Sequence, residues 1–394
     1  MNKPKIKNLT EAADRIRLAV KNNEKIIIYG DSDCDGITST VILEEAIKTL
    51  GGKVDMVLFP NREDDGYGVN ARALEFLKNV PKGLFITLDL GISNQAAVKV
   101  LNGYGFSVII VDHHQILDGI PAAEVVIDPQ QEGDESDSKH LANVGITFKL
   151  AEELLLRPSE ASGEGGGMSH NLRNSFLELT ALATISDMVP QIEDNKMFIE
   201  EGLRSLKNTF RPGLRAFLDI LGEGEVLSGG FYKLISALNA AESIDFKNES
   251  YDLLTCSSRG KSMELAQDLI SKTNYKQLKI QEITKEVERR IAQKKDEIII
   301  FEGDPAWKLL LAGPVASIVY MQYNKPTFIF KKGDAESSGS VRSPKGMDSV
   351  KAMKSCKDFL ITYGGHPQAS GFRVKNENLE RFKEGLIKHF KNLK

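Results

Sequence analysis

Long apolar runs are missing from this sequence, and so is any excess of positive charge. None of the apolar stretches in its 394 residues approaches the roughly 20 residues that span a bilayer. The basic opening Met1-Asn2-Lys3-Pro4-Lys5 is not followed by the apolar core of a secretion signal. Cysteine is scarce: Cys34, Cys256 and Cys356 are odd in number and far apart, which excludes a disulfide framework. These absences point to a chain of the cytoplasm with no membrane partner. The net charge of −4 excludes grip on nucleic acid by bulk charge but leaves room for a local basic surface. No internal repeat is evident. What remains, 41% apolar and 27% charged residues, is the balance of a globular protein. The length exceeds one ordinary core, so two domains are expected.

The informative feature is a crowd of carboxylates. Asp31, Asp33 and Asp35 occupy alternate positions directly after the apolar run Ile26-Ile27-Ile28-Tyr29. Three like charges so close together repel, and each raises its neighbours' pKa. A divalent cation removes the conflict, because carboxylate oxygens suit Mg²⁺ and Mn²⁺. An extended chain would turn all three to one side. A helix begun at Gly36 would instead leave N–H groups near Ile37 and Thr38 for phosphate oxygens. Either way, an Asp-rich turn before a helix also serves commonly as a plain N-cap.

Short β-rich runs alternate with helical patterns through the first half. Strands are expected over 25–29, 54–59, 84–88 and 107–111, with helices over 38–50, 71–78 and 95–101. The pattern predicts βαβ units and a mostly parallel sheet. Asp31, Asp89 and Asp112 each follow a strand, so one sheet edge would collect them. Residues 157–170, rich in Gly, Ser and Glu, read as a flexible loop ending in an exposed His170. Helical sequence resumes at Leu172 and reaches Asp187. Residues 262–295 contain neither proline nor glycine, and Ile280, Ile283, Val287 and Ile291 recur at helical spacing. Such a helix would be on the order of 50 Å long, which suits a connector. Strands over 297–301 and 326–330 open a smaller α/β unit, punctuated by glycine-containing segments at 337–343 and 364–371. The basic run 381–394 reads as the solvated face of a terminal helix. The expected division is therefore 1–261, 262–296 and 297–394.

Paired metal ions about 3.5–4 Å apart can clamp a phosphodiester, and they need a bridging carboxylate, flanking carboxylates and often a histidine. The chain offers Asp31, Asp33, Asp35, Asp89, Asp112, His113, His114 and Asp187. The ordered segments Gly30-Asp31-Ser32-Asp33-Cys34-Asp35-Gly36, Thr87-Leu88-Asp89-Leu90-Gly91, Asp112-His113-His114 and Ile185-Ser186-Asp187-Met188-Val189-Pro190 resemble the DHH phosphoesterase superfamily. Pro60-Asn61-Arg62, Asp65-Gly66-Tyr67-Gly68 and the segment from Asn143 to Leu150 are similar to its RecJ branch, the single-strand-specific exonucleases. The resemblance runs from about Lys25 to Val374. It implies a parallel-sheet DHH domain joined by a long helix to a smaller α/β domain of DHHA1 type. It also implies two divalent cations, Mn²⁺ or Mg²⁺. Asp31 and Asp33 would serve one ion and Asp35 the other, with Asp89 bridging and His113 and Asp187 completing the second site. His114 would face the scissile phosphate and Asp112 would hold a histidine. Ser338, Gly339, Ser340, Arg342, Gly364, Gly365 and His366 would bind substrate, Arg342 and His366 through phosphates and residues 338–340 through hydroxyls and main-chain N–H groups.

The chain departs from the family pattern in four places. No oligonucleotide-binding barrel is expected within its length. The Asn-Ala-Ala-Gly-Arg segment reads Asn239-Ala240-Ala241-Glu242-Ser243. The His-Pro-Gly motif after the tryptophan is replaced by Leu309-Leu310-Leu311-Ala312-Gly313. The Ala-Gly pair before Val144 reads Ala142-Asn143. The expected function is 5′→3′ hydrolysis of single-stranded DNA, with RNA as a further substrate, in a cleft between the domains. Two other readings stand beside it: a phosphodiesterase of short oligonucleotides or nucleotide phosphates, and a non-catalytic replication scaffold. A helper protein supplying extra grip on DNA is compatible with the sequence, which does not name one.

Overall fold

A computed structural model describes residues 4–117, 119–156, 168–222, 224, 229–294 and 297–392. The chain divides into two compact units, Met1–Thr273 and Asn274–Lys394.

The first unit runs α1 (Leu9–Lys21), β1 (Ile26–Gly30), α2 (Cys34–Thr49), β2 (Met56–Leu58), α3 (Ala71–Lys78), β3 (Leu84–Leu88), α4 (Gln95–Tyr104), β4 (Ser107–Val111), β5 (Val125–Ile127), α5 (Asn143–Leu155) and α6 (His170–Ser186). Helices α7 (Glu193–Leu206), α8 (Pro212–Leu221) and α9 (Phe231–Leu238), a small ribbon of β6 (Ser243–Ile244) and β7 (Lys247–Asn248), and α10 (Glu249–Thr255) follow. The five strands β2-β1-β3-β4-β5 pair in parallel throughout. Parallel sheets are covered on both faces, so their strands read as continuous apolar runs. Ile26 and Ile28 enter the core with α1, α2, α5 and α6, while Ile27 and Tyr29 enter the one with α3 and α4.

Register then sets the site. Gly30 pairs with Leu88, Leu88 with Val111 and Val111 with Ile127. The next residue on each strand is an aspartate: Asp31, Asp89, Asp112 and Asp128 stand in one row beyond the carboxyl ends of the sheet. The strand order reverses between β1 and β3, the place where open α/β sheets gather ligands.

Helix α2 begins at Cys34, earlier than residue 38. Asp33 caps it, with Oδ1 accepting from the N–H groups of Asp35 and Gly36 at 3.1 Å each. The three alternate aspartates therefore do not share one extended edge: Asp33 ends a loop and Asp35 lies in the first helical turn. β5 and α1 escape the sequence pattern, β5 because three residues are too few to show periodicity.

The long helix α11 spans Arg259–Ala292. The second unit continues with β8 (Ile300–Asp304), α12 (Leu309–Tyr323), β9 (Thr327–Lys332), β10 (Glu336–Arg342), α13 (Ser349–Lys354), β11 (Leu360–His366), β12 (Ala369–Lys375) and α14 (Leu379–Lys391). Its sheet order is β11-β12-β10-β9-β8, antiparallel except for β8 with β9. The segments 337–343 and 364–371, read from sequence as glycine-containing punctuation, are strand β10 and the β11–β12 hairpin. The basic run belongs to α14, whose Leu379, Phe382, Leu386 and Phe390 are buried. Of the expected loop, residues 157–167 lie outside the described residues. Its last residue, His170, is exposed and opens α6, which Ser169 caps. Among the described residues, no helix is long and apolar enough to cross a membrane.

Gly36 permits the Asp31 loop to close on α2. A Cβ there would stand 2.7 Å from Asp31 N and nearer still to its carbonyl oxygen. Helix propensity alone favours Gly36→Ala by about 1 kcal/mol, but overpacking against main chain costs about 1–3 kcal/mol or more. Gly36→Ala is expected to lower the urea midpoint of the first unit. A raised midpoint would show that the loop yields and propensity prevails.

Candidate metal centre

The first unit brings together all eight residues expected at its site, and each carboxylate is held differently. Arg62, on the loop after β2, donates from Nε to Asp31 Oδ1 at 2.7 Å, from Nη2 to Asp31 Oδ2, and from Nη2 to Asp33 Oδ2 at 3.0 Å. A guanidinium fork across two carboxylates is a strong charge-assisted pairing. Burial pushes the wholly buried Asp31 up even so, whereas at Asp33 burial is outweighed by Arg62 together with the Gly36 N–H, which hold it below the usual range.

Asp35 is buried against the start of α5. Its Oδ2 accepts from Asn143 N–H at 2.8 Å and its Oδ1 from Val144 N–H at 2.7 Å. The unsatisfied N–H groups of a helix N-terminus suit a carboxylate. Burial and the nearby Asp187 nevertheless lift Asp35 to about 7.

Asp89 follows β3 with φ +63°, a conformation that a residue with a Cβ adopts at a cost and that clusters at functional sites. Its carbonyl accepts from the Tyr67 hydroxyl at 2.8 Å. Burial and Asp35 push its carboxyl well above the ordinary value. His113 Nδ1 lies 3.1 Å from the Leu141 carbonyl. That contact aims Nε2 at Asp89 Oδ1 (3.3 Å), Asp187 Oδ2 (3.8 Å) and Asp35 Oδ2 (3.9 Å). A histidine oriented through one ring nitrogen and aimed through the other at carboxylates is a common metal-site geometry. Burial opposes its charge, but Asp187 and Asp89 prevail and raise His113 to about 10.

Asp112 serves its neighbours. Its Oδ1 accepts from His113 N–H at 2.8 Å and stands 2.7 Å from His114 Nδ1, while Oδ2 accepts from Ile92 N–H at 3.0 Å. Burial opposes its charge, but His114 brings it down to about 2. Asp187 caps the C-terminus of α6, and burial raises it despite His113. Its Oδ2 is buried without a hydrogen-bond partner among the described residues.

Within the first unit, three sets of side-chain donor atoms each lie within 4.8 Å of one another: Asp31, Asp33 and Asp89; Asp35, His113 and Asp187; Asp89, Asp112 and His114. Oxygen ligands about 2.1 Å from a Mg²⁺-sized ion stand up to about 4.2 Å apart. The first two sets fit a hard divalent cation in donor chemistry, and the 3.9 and 3.8 Å from His113 Nε2 to Asp35 and Asp187 lie within that span. The buried Asp187 oxygen and the raised Asp35 and Asp89 are the charge deficit such ions would relieve.

Four contributors carried no role in the sequence reading. Arg62 and Tyr67 stood in quoted segments, yet nothing local shows that they fold back on Asp31 and Asp89. Asn239 bridges Cys34 N–H to the Ser186 hydroxyl at 2.9 Å each, tying the aspartate loop to the end of α6. Asp128 is buried and raised to about 8 by burial and Asp112. Its sequence signal was the Val125-Val126-Ile127 run before it.

In the second unit, β10 alternates buried and half-buried residues. Ser338, Ser340 and Arg342 share one face. Gly339 faces the core, where a Cβ would meet Phe330 Cβ at 2.5 Å and Phe372 Cε1 at 2.8 Å. β10 is an inner strand paired on both sides, so its N–H groups are spent on β9 and β12. The expectation that residues 338–340 offer main-chain N–H groups to a ligand is therefore corrected: only the two hydroxyls remain, and Gly339 makes room for phenylalanines. Arg342 and His366 both pair with Ala369, and Ser340 and Gly364 both pair with Gly371. Arg342, His366, Ser340 and Gly364 thus lie on one face, with Arg342 and His366 two strands, or about 10 Å, apart. Gly365 alternates to the other face. Arg342 Nε donates to Ser317 Oγ on α12 at 3.0 Å.

Comparison with known proteins places this geometry. Residues 25–184 match the N-terminal domain of the DHH family, and residues 296–392 match the DHHA1 domain. The single-stranded-DNA-specific exonuclease RecJ of Dickeya dadantii is 30% identical over 394 residues, which cover 95% of this chain and 68% of that protein. The chain belongs to the RecJ branch of the DHH family. RecJ of Bacillus subtilis is 33% identical over 390 residues, covering 97% of this RecJ-family chain and 47% of that protein, so the chain spans about half of that relative's length. The crystal structure of Thermus thermophilus RecJ in complex with Mn²⁺ superimposes with a TM-score of 0.81 at 25% identity, covering 99% of this chain and 56% of that one.

The Asp112–His114 pair yields a pH prediction. Burial pulls His114 down, but Asp112, with smaller help from Asp187 and Asp31, raises the imidazole to about 9. A folded pKa above the unfolded value of about 6.5 stabilises the fold fully below pH 6.5, and that contribution is lost as pH climbs to about 9. Asp112 acts at the other end: its contribution is complete above about pH 4 and is lost as pH falls to about 2. In chelator-treated protein, NMR titration is expected to place His114 near pH 9. Asp112→Asn is expected to drop it by more than about one unit. An unchanged His114 titration in Asp112→Asn would refute the pairing.

Proposed function

We propose that the chain is a metal-dependent phosphodiesterase that degrades single-stranded DNA from the 5′ end. The observation that carries this reading is the row of aspartates at the sheet edge, with His113 Nε2 within 3.3–3.9 Å of three carboxylates. Membership of the RecJ branch supports it.

Asp31, Asp33 and Asp89 would hold one divalent cation, Mn²⁺ or Mg²⁺, and Asp35, His113 and Asp187 the other, with Asp89 set between them. When bound, such ions supply Lewis-acid activation of water and of the phosphoryl oxygen. The protein's own groups do the rest. Asp112 favours the protonated form of His114, which would donate a hydrogen bond to a phosphate oxygen of the substrate. Arg62 contributes fixed positive charge beside Asp31 and Asp33. In the second unit, Arg342, His366, Ser338 and Ser340 would bind further phosphates. Arg342 offers the planar fork that suits them, and Gly364, across Gly371 from Ser340, adds no side chain to that face. In this reading catalysis would fall to 1–261, a connector to 262–296 and substrate binding to 297–394.

The test is digestion of end-labelled DNA with Mn²⁺. Stepwise release from the 5′ end of single strands is expected, with duplex resistant. Asp89→Asn is expected to lower kcat at least about 100-fold, the upper end of the loss seen when a metal ligand loses an outer partner. Equal digestion of duplex, or release from the 3′ end, would overturn the exonuclease reading. Strong preference for dinucleotides would move the assignment to short oligonucleotides. An inactive parent would support the scaffold reading.

A further inference from the structure

One short segment, Leu141-Ala142-Asn143-Val144, reaches three of the proposed ligands. The Leu141 carbonyl orients His113, and the Asn143 and Val144 N–H groups take the two oxygens of Asp35. The third contact belongs to the Asn143 side chain, which is wholly buried. With the amide turned so that every neighbour is satisfied, Oδ1 accepts from Asp89 N–H at 3.0 Å and from the Ser39 hydroxyl at 3.1 Å. Nδ2 then donates to the Val111 carbonyl at 3.0 Å. Asp89 N–H also donates to Val111 O at 3.0 Å, so strand and carboxamide share that proton.

The contact falls where support is needed. Asp89 sits at φ +63°, a conformation that persists in a residue with a Cβ only when its surroundings over-determine it. β4 alone supplies one acceptor. The carboxamide adds a second and is itself fixed by α2 through Ser39 and by β4 through Val111. A buried polar group with all its partners in place is a rigid brace. This is also where the chain carries Ala142-Asn143 instead of the small Ala-Gly pair, so the brace comes from a residue that the motif set did not require.

We infer that Asn143 is a positioning residue for the metal centre: its carboxamide holds the Asp89 main chain in the left-handed conformation, while its own N–H fixes Asp35. The inference rests on the metal-centre reading above. It does not make Asn143 a ligand, because both ends of its amide are engaged elsewhere.

The test is Mn²⁺ binding by the full chain, followed by calorimetric titration and by electron paramagnetic resonance of the bound ions. Asn143→Ala is compared with Ile146→Ala, a truncation on the same helix of a buried side chain that has no polar atom to brace a proposed ligand. Asn143→Ala is expected to weaken Mn²⁺ binding by about 10–100-fold, the range for loss of an outer partner of metal ligands, and to lose the spin-coupled signal of paired ions. Ile146→Ala is expected to retain both. Mn²⁺ binding by folded Asn143→Ala within twofold of the parent would overturn the inference. If Asn143→Ala does not fold, the milder Ser39→Ala decides, since it removes one support of the same carboxamide. A several-fold loss of affinity upholds the inference, and unchanged affinity overturns it. A parent that binds no Mn²⁺ would overturn the metal-centre reading itself.

Discussion

Mutual repulsion among buried carboxylates governs the first unit. Asp31, Asp35, Asp89 and Asp112 are buried within one site, with Asp33 and Asp187 beside them. Taking even one such charge out of water is costly unless it is paired. The fold meets most of that cost with three devices: Arg62 across Asp31 and Asp33, His114 on Asp112, and the N-terminus of α5 on Asp35. Asp89 and Asp187 have none of these and share one histidine, and Asp31 and Asp35 stay raised in spite of theirs. The raised Asp35, Asp89 and Asp187 record that deficit. It lies where cations are proposed to bind.

The same logic explains why the site stands on a parallel sheet. Each of β1, β3, β4 and β5 is buried, so its direction and register are pinned by core packing rather than by the aspartate that follows. Four carboxylates can then be held in a row against their repulsion, because sliding any strand would turn its apolar residues into the wrong core. The left-handed Asp89 is affordable for the same reason. Its main chain is held by Val111 and Asn143, and its carbonyl is held by Tyr67.

The second unit solves a different problem. Its sheet carries the phenylalanine core on one face, while on the other Ile300 and Ile329 pack against Leu311, Val315 and Val319 of α12, and the polar residues of β10 are half-buried beside them. Phe301, Phe328, Phe330, Phe372 and Phe382 crowd that core, and Gly339 is the space they need. On the opposite face, Ser340, Arg342, Gly364 and His366 meet through register with β12. Glycine therefore has two meanings here: Gly339 yields to packing, while Gly364 adds no side chain to the face of Ser340 and Arg342.

The strands β1, β3 and β4 and their terminal aspartates were legible because continuous apolar runs and the charges ending them are local facts. His113, His114 and Asp187 were legible through the company they keep in order along the chain. The early start of α2 was not, because Asp33 can cap a helix only once Gly36 has let the loop close. β5 was too short to show a period, and with it went Asp128. β10, β11 and β12 read as breaks because their glycines take meaning only from Phe330, Phe372 and the facing strands. The sequence by itself determined that carboxylates and histidines would follow buried strands, since burial and charge are written residue by residue. Only the tertiary structure decided which cation faces which anion, because Arg62, Leu141, Asn143 and Asn239 reach the site across tens to hundreds of residues of chain. Such contacts are set by register and packing, which no local pattern encodes.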